Sequence, residues 1–371
     1  MRAIEQIRID GYKSIRSLDL TLRPLNVLIG ANGVGKSNFI NAFRFLNELI
    51  NENLQLHVAK SGGVDTFLHF GQQTTDELRL YVEFAQNERG LPNAYSCVLL
   101  PSADDVFVFA SEKAYFHDRN RHAIPYEEPI ASGHLESRLT QQSQNKNVTR
   151  YVKEAMTSWR IYHFHDTSES SKMKQTGDIH DNRFLRPDAA NLAAYLYLLQ
   201  ETEPAYYYNI VDAIRMIAPF FGNFALRPSP FNAEKIRLEW HERGADVVFN
   251  AHDLSDGSLR FMSLATLLLQ PPDKLPTAIL LDEPELGLHP YAITVLANLL
   301  RSAAERTQVI VSTQSVTLVN HFNPEDIIVV DREDGQSIFR HLPEGEIDNW
   351  LDDYGLGDLW EKNVLGGRPT R

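Results

Sequence analysis

Apolar positions with period two and with helical period succeed one another along the chain, and their order predicts an α/β protein. Alternation at residues 4–9 and 18–22 predicts two strands, and the apolar run 25–29 predicts a buried one. Phe39, Phe43, Leu46 and Ile50 then recur at helical spacing, so a helix starts near Lys36. From 60 to 130, alternating stretches such as 78–84 and 106–109, divided by glycine and proline turns, predict an antiparallel sheet. Beyond it the character is mixed: a polar stretch at 141–147 read as an exposed helix end or loop, a strand at 159–164, a polar loop at 167–176, and helices at 189–199 and 210–217. Residues 238–250 return to strands around a turn at 243–246. A helix at 258–269, a strand at 278–281, a helix at 291–306 and a strand at 309–311 follow in the order of a parallel sheet. Residues 327–330 and 337–339 predict a hairpin around Asp331-Arg332-Glu333-Asp334-Gly335. No apolar heptad lasts three repeats, which argues against a long coiled-coil arm. These shifts divide the chain into a core of 1–59 and 246–371, an antiparallel β-subdomain of 60–130, and an inserted mixed α/β lobe of 131–245.

The buried strand 25–29 runs into Gly30-Ala31-Asn32-Gly33-Val34-Gly35-Lys36-Ser37, a G-x-x-x-x-G-K-S phosphate-binding loop. Its glycines let successive N–H groups converge on the β-phosphate. Lys36 reaches the β- and γ-phosphates, Ser37 offers its hydroxyl to Mg²⁺, and the helix start brings its positive end to the phosphates. Gly30, Asn32, Gly33, Gly35, Lys36, Ser37 and Asn38 are the nucleotide-contacting residues of this segment. The apolar strand 278–281 ends in Asp282 and Glu283. Asp282 would hold the magnesium and Glu283 would polarise the attacking water, because phosphoryl transfer needs an oriented nucleophile.

Leu254-Ser255-Asp256-Gly257-Ser258 precedes the helix at 258–269, shortly before the Asp282-Glu283 strand. With the phosphate loop it resembles the Leu-Ser-x-Gly signature of the ABC-type ATPases. In that family the signature serine and glycine, here Ser255 and Gly257, bind the γ-phosphate held by a second subunit. Gly11-Tyr12-Lys13-Ser14-Ile15 is similar to the Asn-Phe-Lys/Arg-Ser opening of the RecF/SMC-like branch, where residues at the positions of Lys13 and Ser14 approach the nucleotide. The resemblance implies a P-loop NTPase head of ABC type, using ATP and Mg²⁺, that forms a homodimer sandwiching two ATP molecules. It also implies a Q-loop glutamine on the metal, for which Gln72 or Gln73 is available. One departure stands out. Where the family carries a switch histidine, this chain has Gln314, which can hydrogen-bond a phosphate or position a water but cannot carry a proton charge. Slow turnover follows from that substitution.

Composition narrows the function. The formal net charge is −13, with 12 acids against 2 bases between Pro324 and Glu361 and 9 bases against 5 acids between Ser137 and Arg186. A basic lobe and an acidic tail region therefore share the chain, and the lobe is either a solvated face or a weak polyanion-binding surface. A single cysteine, Cys97, excludes an intrachain disulfide and suits a reducing cytoplasm. No apolar run is long enough to span a membrane, and the N-terminus has no signal-peptide core. His163 and His165 share one face of the strand predicted there, a spacing read as packing rather than as a metal site. Asp331, Glu333 and Asp334 resemble Toprim carboxylates, but the 57 residues after Gln314 are too few for that domain, so a solvated hairpin is expected. No Asn-Lys-x-Asp motif supports a GTPase. Two physiological readings stay open: an ATP switch acting on DNA in repair, recombination or chromosome maintenance, and an ATPase sensor or scaffold of an anti-phage system controlling a separate effector. A transporter subunit suits the large inserts least.

Overall fold

The computed structural model describes residues 3–85, 92–118, 124–144, 147–343, 345, 348–351 and 353–367. Asn145 and Lys146 of the polar stretch at 141–147 lie outside the described residues.

A six-stranded sheet forms the centre, in the order Gln336–His341, Ile327–Glu333, Leu25–Ile29, Gln308–Thr313, Ala278–Asp282, Trp159–Tyr162. All neighbours pair in parallel except the Ile327–Glu333 and Gln336–His341 hairpin. Successive residues of these strands alternate between two cores, as the period-two geometry of a pleated strand requires. Val27 and Ile29 join one core with Ile279, Leu281, Val309 and Val311, beneath helices Asp256–Leu269 and Pro290–Ala304. Leu28 joins the other with Leu280, Ile310, Ile328 and the helix Lys36–Ile50, which contributes Phe39, Phe43 and Leu46. Helices on both faces explain why the strands read as unbroken apolar runs.

A second six-stranded sheet is antiparallel, in the order Ile15–Thr21, Ile4–Tyr12, Leu78–Phe84, Asn93–Pro101, Phe107–Phe116, Tyr126–Ala131. The first two strands of the chain thus complete a sheet built mostly from residues 78–131. Helices Leu192–Thr202 and Pro204–Ile217 and small sheets between 177 and 250 complete the remaining lobe. Among the described residues no helix is long and apolar enough to cross a membrane.

Three differences from the sequence-based expectation have physical reasons. A helix, Leu139–Gln142, ends within the polar stretch, and a second, Asn147–Met156, follows it where no element was read. Its buried residues Val152, Ala155 and Met156 form a stripe too narrow to dominate a polar window. The strand at 159 stops at Tyr162, so His163 and His165 leave the sheet rather than share a strand face. That strand is also an edge of the central sheet, paired with Ala278–Asp282, because its buried Trp159 and Ile161 face the same core as Leu280. We propose the division of the chain near 59, 130 and 245 with residues 159–162 returned to the core and the strands Ile4–Tyr12 and Ile15–Thr21 assigned to the antiparallel β-subdomain.

Candidate nucleotide site

The parallel strands release their following loops at one edge of the central sheet: residues 30–37, 163–165, 283–285 and 314–315. In the first loop Gly30, Gly33 and Gly35 have φ of 154°, 78° and 118°, the positive range that favours glycine. A Cβ on Gly35 would overlap Ser337 Oγ, so glycine there is also a matter of space. Lys36 is buried, and its ammonium donates to the carbonyls of Gly30 (2.6 Å) and Ala31 (2.9 Å). Burial pushes its pKa down, against the carboxylates of Glu283, Asp282 and Glu285, which favour the charged form. Ser37 is exposed at the helix start, and Asn32 and Gly33 are exposed at the loop tip.

Asp282 ends its strand with Oδ1 buried and without a hydrogen-bond partner. An orphaned carboxylate oxygen whose charge acts on the phosphate-loop Lys36 fits a hard divalent cation, which oxygen ligands suit. Glu283 adopts φ 45°, unusual for a residue with a Cβ, and its N–H donates to the Ser312 carbonyl at 2.8 Å. Gln314 donates its side-chain amide to the Glu283 carboxylate. The two residues named from the motifs therefore meet.

Ser14 also joins the site. Its Oγ accepts from Asn38 Nδ2 (2.8 Å) and from Ser337 Oγ (2.7 Å). Lys13, at φ 48°, lies next to it. Gln72 is not gathered with these groups by any hydrogen bond it makes. Its backbone N–H donates to Asp65 Oδ1 at 2.8 Å, in a segment that packs on Lys13, and Gln73 is exposed. The segment beside Asp282 is instead 163–165: His165 Nε2 lies 2.7 Å from the Asp282 carbonyl, and His163 meets Arg44 of the phosphate-loop helix. Sheet order brings these imidazoles there, which spacing in sequence could not reveal. Among the described residues no group of three or more His, Cys, Asp or Glu could hold a metal ion.

Glu285 and Ser337 escaped the motif reading. Glu285 is buried, accepts from Thr313 Oγ1 and from the Gln314 N–H (3.3 Å), and so braces the segment that carries Gln314. The only sequence signal was its place in the Pro284-Glu285-Leu286-Gly287 run. Ser337 lies on a hairpin far along the chain, and nothing local marks it.

Ser255 and Gly257 stand apart. Ser255 is exposed and caps the helix Asp256–Leu269, accepting from the Ser258 N–H at 3.2 Å. A Cβ on Gly257 would come within 2.7 Å of the Gly287 carbonyl, so the helix start approaches the loop after Glu283. Neither residue hydrogen-bonds to the phosphate loop. Part of the basic excess at 137–186 is consumed by acids: Lys172 pairs with Asp188, Arg186 with Asp181 and Lys174 with Asp256. The acidic hairpin is likewise engaged, Asp331 accepting from the Gly367 N–H (2.7 Å) and lining, with Asn32, Arg332 and Asn363, a cleft of about 500 Å³ beside the phosphate loop.

Residues 25–320 match the family described as "AAA domain, putative AbiEii toxin, Type IV TA system". A protein named OLD nuclease from Thermus scotoductus is 22% identical over 394 residues, covering 96% of this chain and 68% of that protein. An Smc head bound to the C-winged helix domain of ScpA has a TM-score of 0.64 at 17% identity, covering 92% of this chain and 98% of that one. An Smc head with an extended coiled coil, bound to the C-terminal domain of ScpA and derived from Pyrococcus furiosus, has a TM-score of 0.60 at 16% identity, covering 95% and 99%. These likenesses show the fold. With a family match that spans most of its length and the Smc-head fold built around its phosphate loop, the chain belongs to this AAA-domain family and has the fold of an ABC-type P-loop head.

Proposed function

We propose that the protein binds ATP with Mg²⁺, closes head to head into a homodimer sandwiching two ATP molecules, and hydrolyses them slowly as a switch. The observation that carries this reading is the meeting of Lys36, Asp282, Glu283 and Gln314 at one sheet edge while Ser255 stays exposed at a helix start bound to no phosphate residue. An N-terminus of that kind is complementary to an anion presented by another subunit.

Ser37 and Asp282 would hold the magnesium, with Gln72 as the proposed Q-loop ligand. When bound, the ion neutralises charge on the β- and γ-phosphates. Lys36 binds the same oxygens. Glu283 orients the attacking water, and Gln314 fixes the Glu283 carboxylate by a neutral hydrogen bond. Lacking a protonated imidazole there, the site stabilises transition-state charge less, so turnover falls below the usual enzyme range of about 1–10³ s⁻¹.

Action on DNA is the first physiological reading, supported by the RecF/SMC-like class and by basic residues of the 137–186 stretch such as Arg138 and Arg183. Control of a separate effector in anti-phage defence is the second, favoured by the toxin–antitoxin wording of the family description. Both suit a cytoplasmic protein whose one cysteine is buried and free. Native mass spectrometry of Glu283→Gln, with and without ATP and DNA, tests the core: an ATP-dependent dimer is expected, and a monomer at saturating ATP overturns it. Salt-dependent DNA binding supports the first physiological reading, through counterion release; its absence leaves the second.

A further inference from the structure

We propose that Phe70 is the seat of the nucleobase, on whose ring a purine stacks with Lys13 beside it. The proposal rests on the reading of Lys36 and its loop as an ATP site, and it names the part of the ligand that the phosphate residues do not touch.

The Phe70 ring is 62% exposed, although Phe67, Leu68 and His69 before it are buried. Its φ of 56° lies in the region that favours glycine, so surrounding bonds must hold it there. They do. The His69 N–H donates to the Gly11 carbonyl (3.1 Å), His69 Nδ1 meets the Lys13 carbonyl (2.7 Å), and the Gly71 N–H donates to the Leu68 carbonyl (3.2 Å). The His69 ring centroid is 4.4 Å from that of Phe70. An aromatic ring is thus presented to solvent by an ordered backbone rather than by a loose loop.

Its position follows from direct contacts. The Lys13 N–H donates to the Phe67 carbonyl at 2.8 Å, and Ser14 beside it holds Asn38 at the start of the phosphate-loop helix. The Ser337 N–H donates to the Ser14 carbonyl at 2.7 Å, and a Cβ on Gly335 of the same hairpin would meet Phe70 Cζ at 2.8 Å. That hairpin flanks the strand Leu25–Ile29 on one side, whereas Asp282 and Glu283 lie two strands away on the other. A nucleotide with its terminal phosphate toward Glu283 therefore trails its base toward the hairpin and Phe70.

Lys13 completes the seat. Its ammonium sits 5.3 Å from the Phe67 ring centroid and 5.8 Å from that of Tyr12, and among the described residues it has no acidic partner. A half-buried cation without a carboxylate suits an anionic ligand such as the α-phosphate. Stacking accepts any base, since every base has a π-face, so the seat takes adenine and guanine alike.

The test measures binding of ATP, GTP and tripolyphosphate, each with Mg²⁺, to the full chain. Phe70→Ala should weaken ATP and GTP about tenfold, the scale of one lost base stack, and leave tripolyphosphate within about twofold. Phe70→Trp should keep ATP affinity and gain a fluorescence change with ATP that wild type lacks and tripolyphosphate does not produce. Unchanged ATP affinity in Phe70→Ala overturns the proposal, as does equal loss of tripolyphosphate; lost dimerisation at unchanged ATP affinity also overturns it and assigns the ring to a subunit contact. Lys36→Ala separates the two levels. If it still binds ATP the site itself is misread, whereas if it does not and Phe70→Ala does so normally, only the base seat falls.

Discussion

Gln314 donates its side-chain amide to the carboxylate of Glu283, across the ends of two parallel strands that pair Asp282 with Ser312. Glu285 supports the pair from below by accepting from Thr313 and from the Gln314 N–H. The carboxylate proposed as the catalytic base is therefore held by a neutral donor whose backbone is itself clamped.

Removing that donor should slow hydrolysis without weakening ATP. A hydrogen bond to a charged group contributes about 1.5–3 kcal/mol, so Gln314→Ala should lower turnover about tenfold to a hundredfold. Gln314→His should raise turnover or leave it level, since a protonated imidazole adds charge in the transition state. Steady-state rates at fixed magnesium decide; equal rates in all three proteins would remove Gln314 from the chemistry.

Glu285 should make stability depend on pH. Burial raises its pKa, and the nearby Glu283 charge adds to this, against hydrogen bonds from Thr313 and Gln314. The folded state then keeps this proton to higher pH than the unfolded chain, so stability falls as pH rises from the ordinary carboxyl range of about 4.3 through the raised value. Glu285→Gln lacks that loss and should gain thermal stability relative to wild type as pH rises across this window, with the difference gone below it. Melting curves of both proteins over the window check the sign.

Lys36 should titrate below the ordinary lysine range, because burial disfavours its charge more than the three carboxylates restore it. ATP affinity should accordingly fall on the alkaline side before pH reaches about 10.4, and binding there should take up a proton. Calorimetry in buffers of different ionisation enthalpy reads the uptake directly. No uptake would show that the lysine stays fully charged in the free protein.

Ser255→Arg should abolish hydrolysis while ATP affinity of the isolated subunit stays within about twofold, since the side chain is exposed and makes no hydrogen bond to its own phosphate loop. Gly257→Ala should weaken both fold and dimer: its new Cβ would press on the Gly287 carbonyl, a backbone atom that cannot swing away, and overpacking of this kind costs about 1–3 kcal/mol. Loss of ATP affinity in Ser255→Arg as large as in Lys36→Ala would show that the signature acts within its own subunit.

Much of this protein is written locally. The phosphate loop, its buried strand and its helix follow from a contiguous run in which the backbone turn needs glycines and the apolar period needs a core. The Asp282-Glu283 strand end, the cap at Ser255 and the hairpin near Gly335 are local in the same sense. Neighbourhood between strands is not. Which strand lies beside Ala278–Asp282 depends on how apolar faces close over two cores, and that packing set Trp159–Tyr162 there and brought His163 and His165 to the site. Long-range contacts likewise put Ser337 under Gly35 and turned Phe70 outward beside Lys13, because hydrogen bonds between segments hundreds of residues apart leave no period in the chain. The sequence alone determined the chemistry available at each strand end; only the tertiary structure decided which ends share an edge, since burial of both sheet faces fixes strand order and no local pattern encodes it.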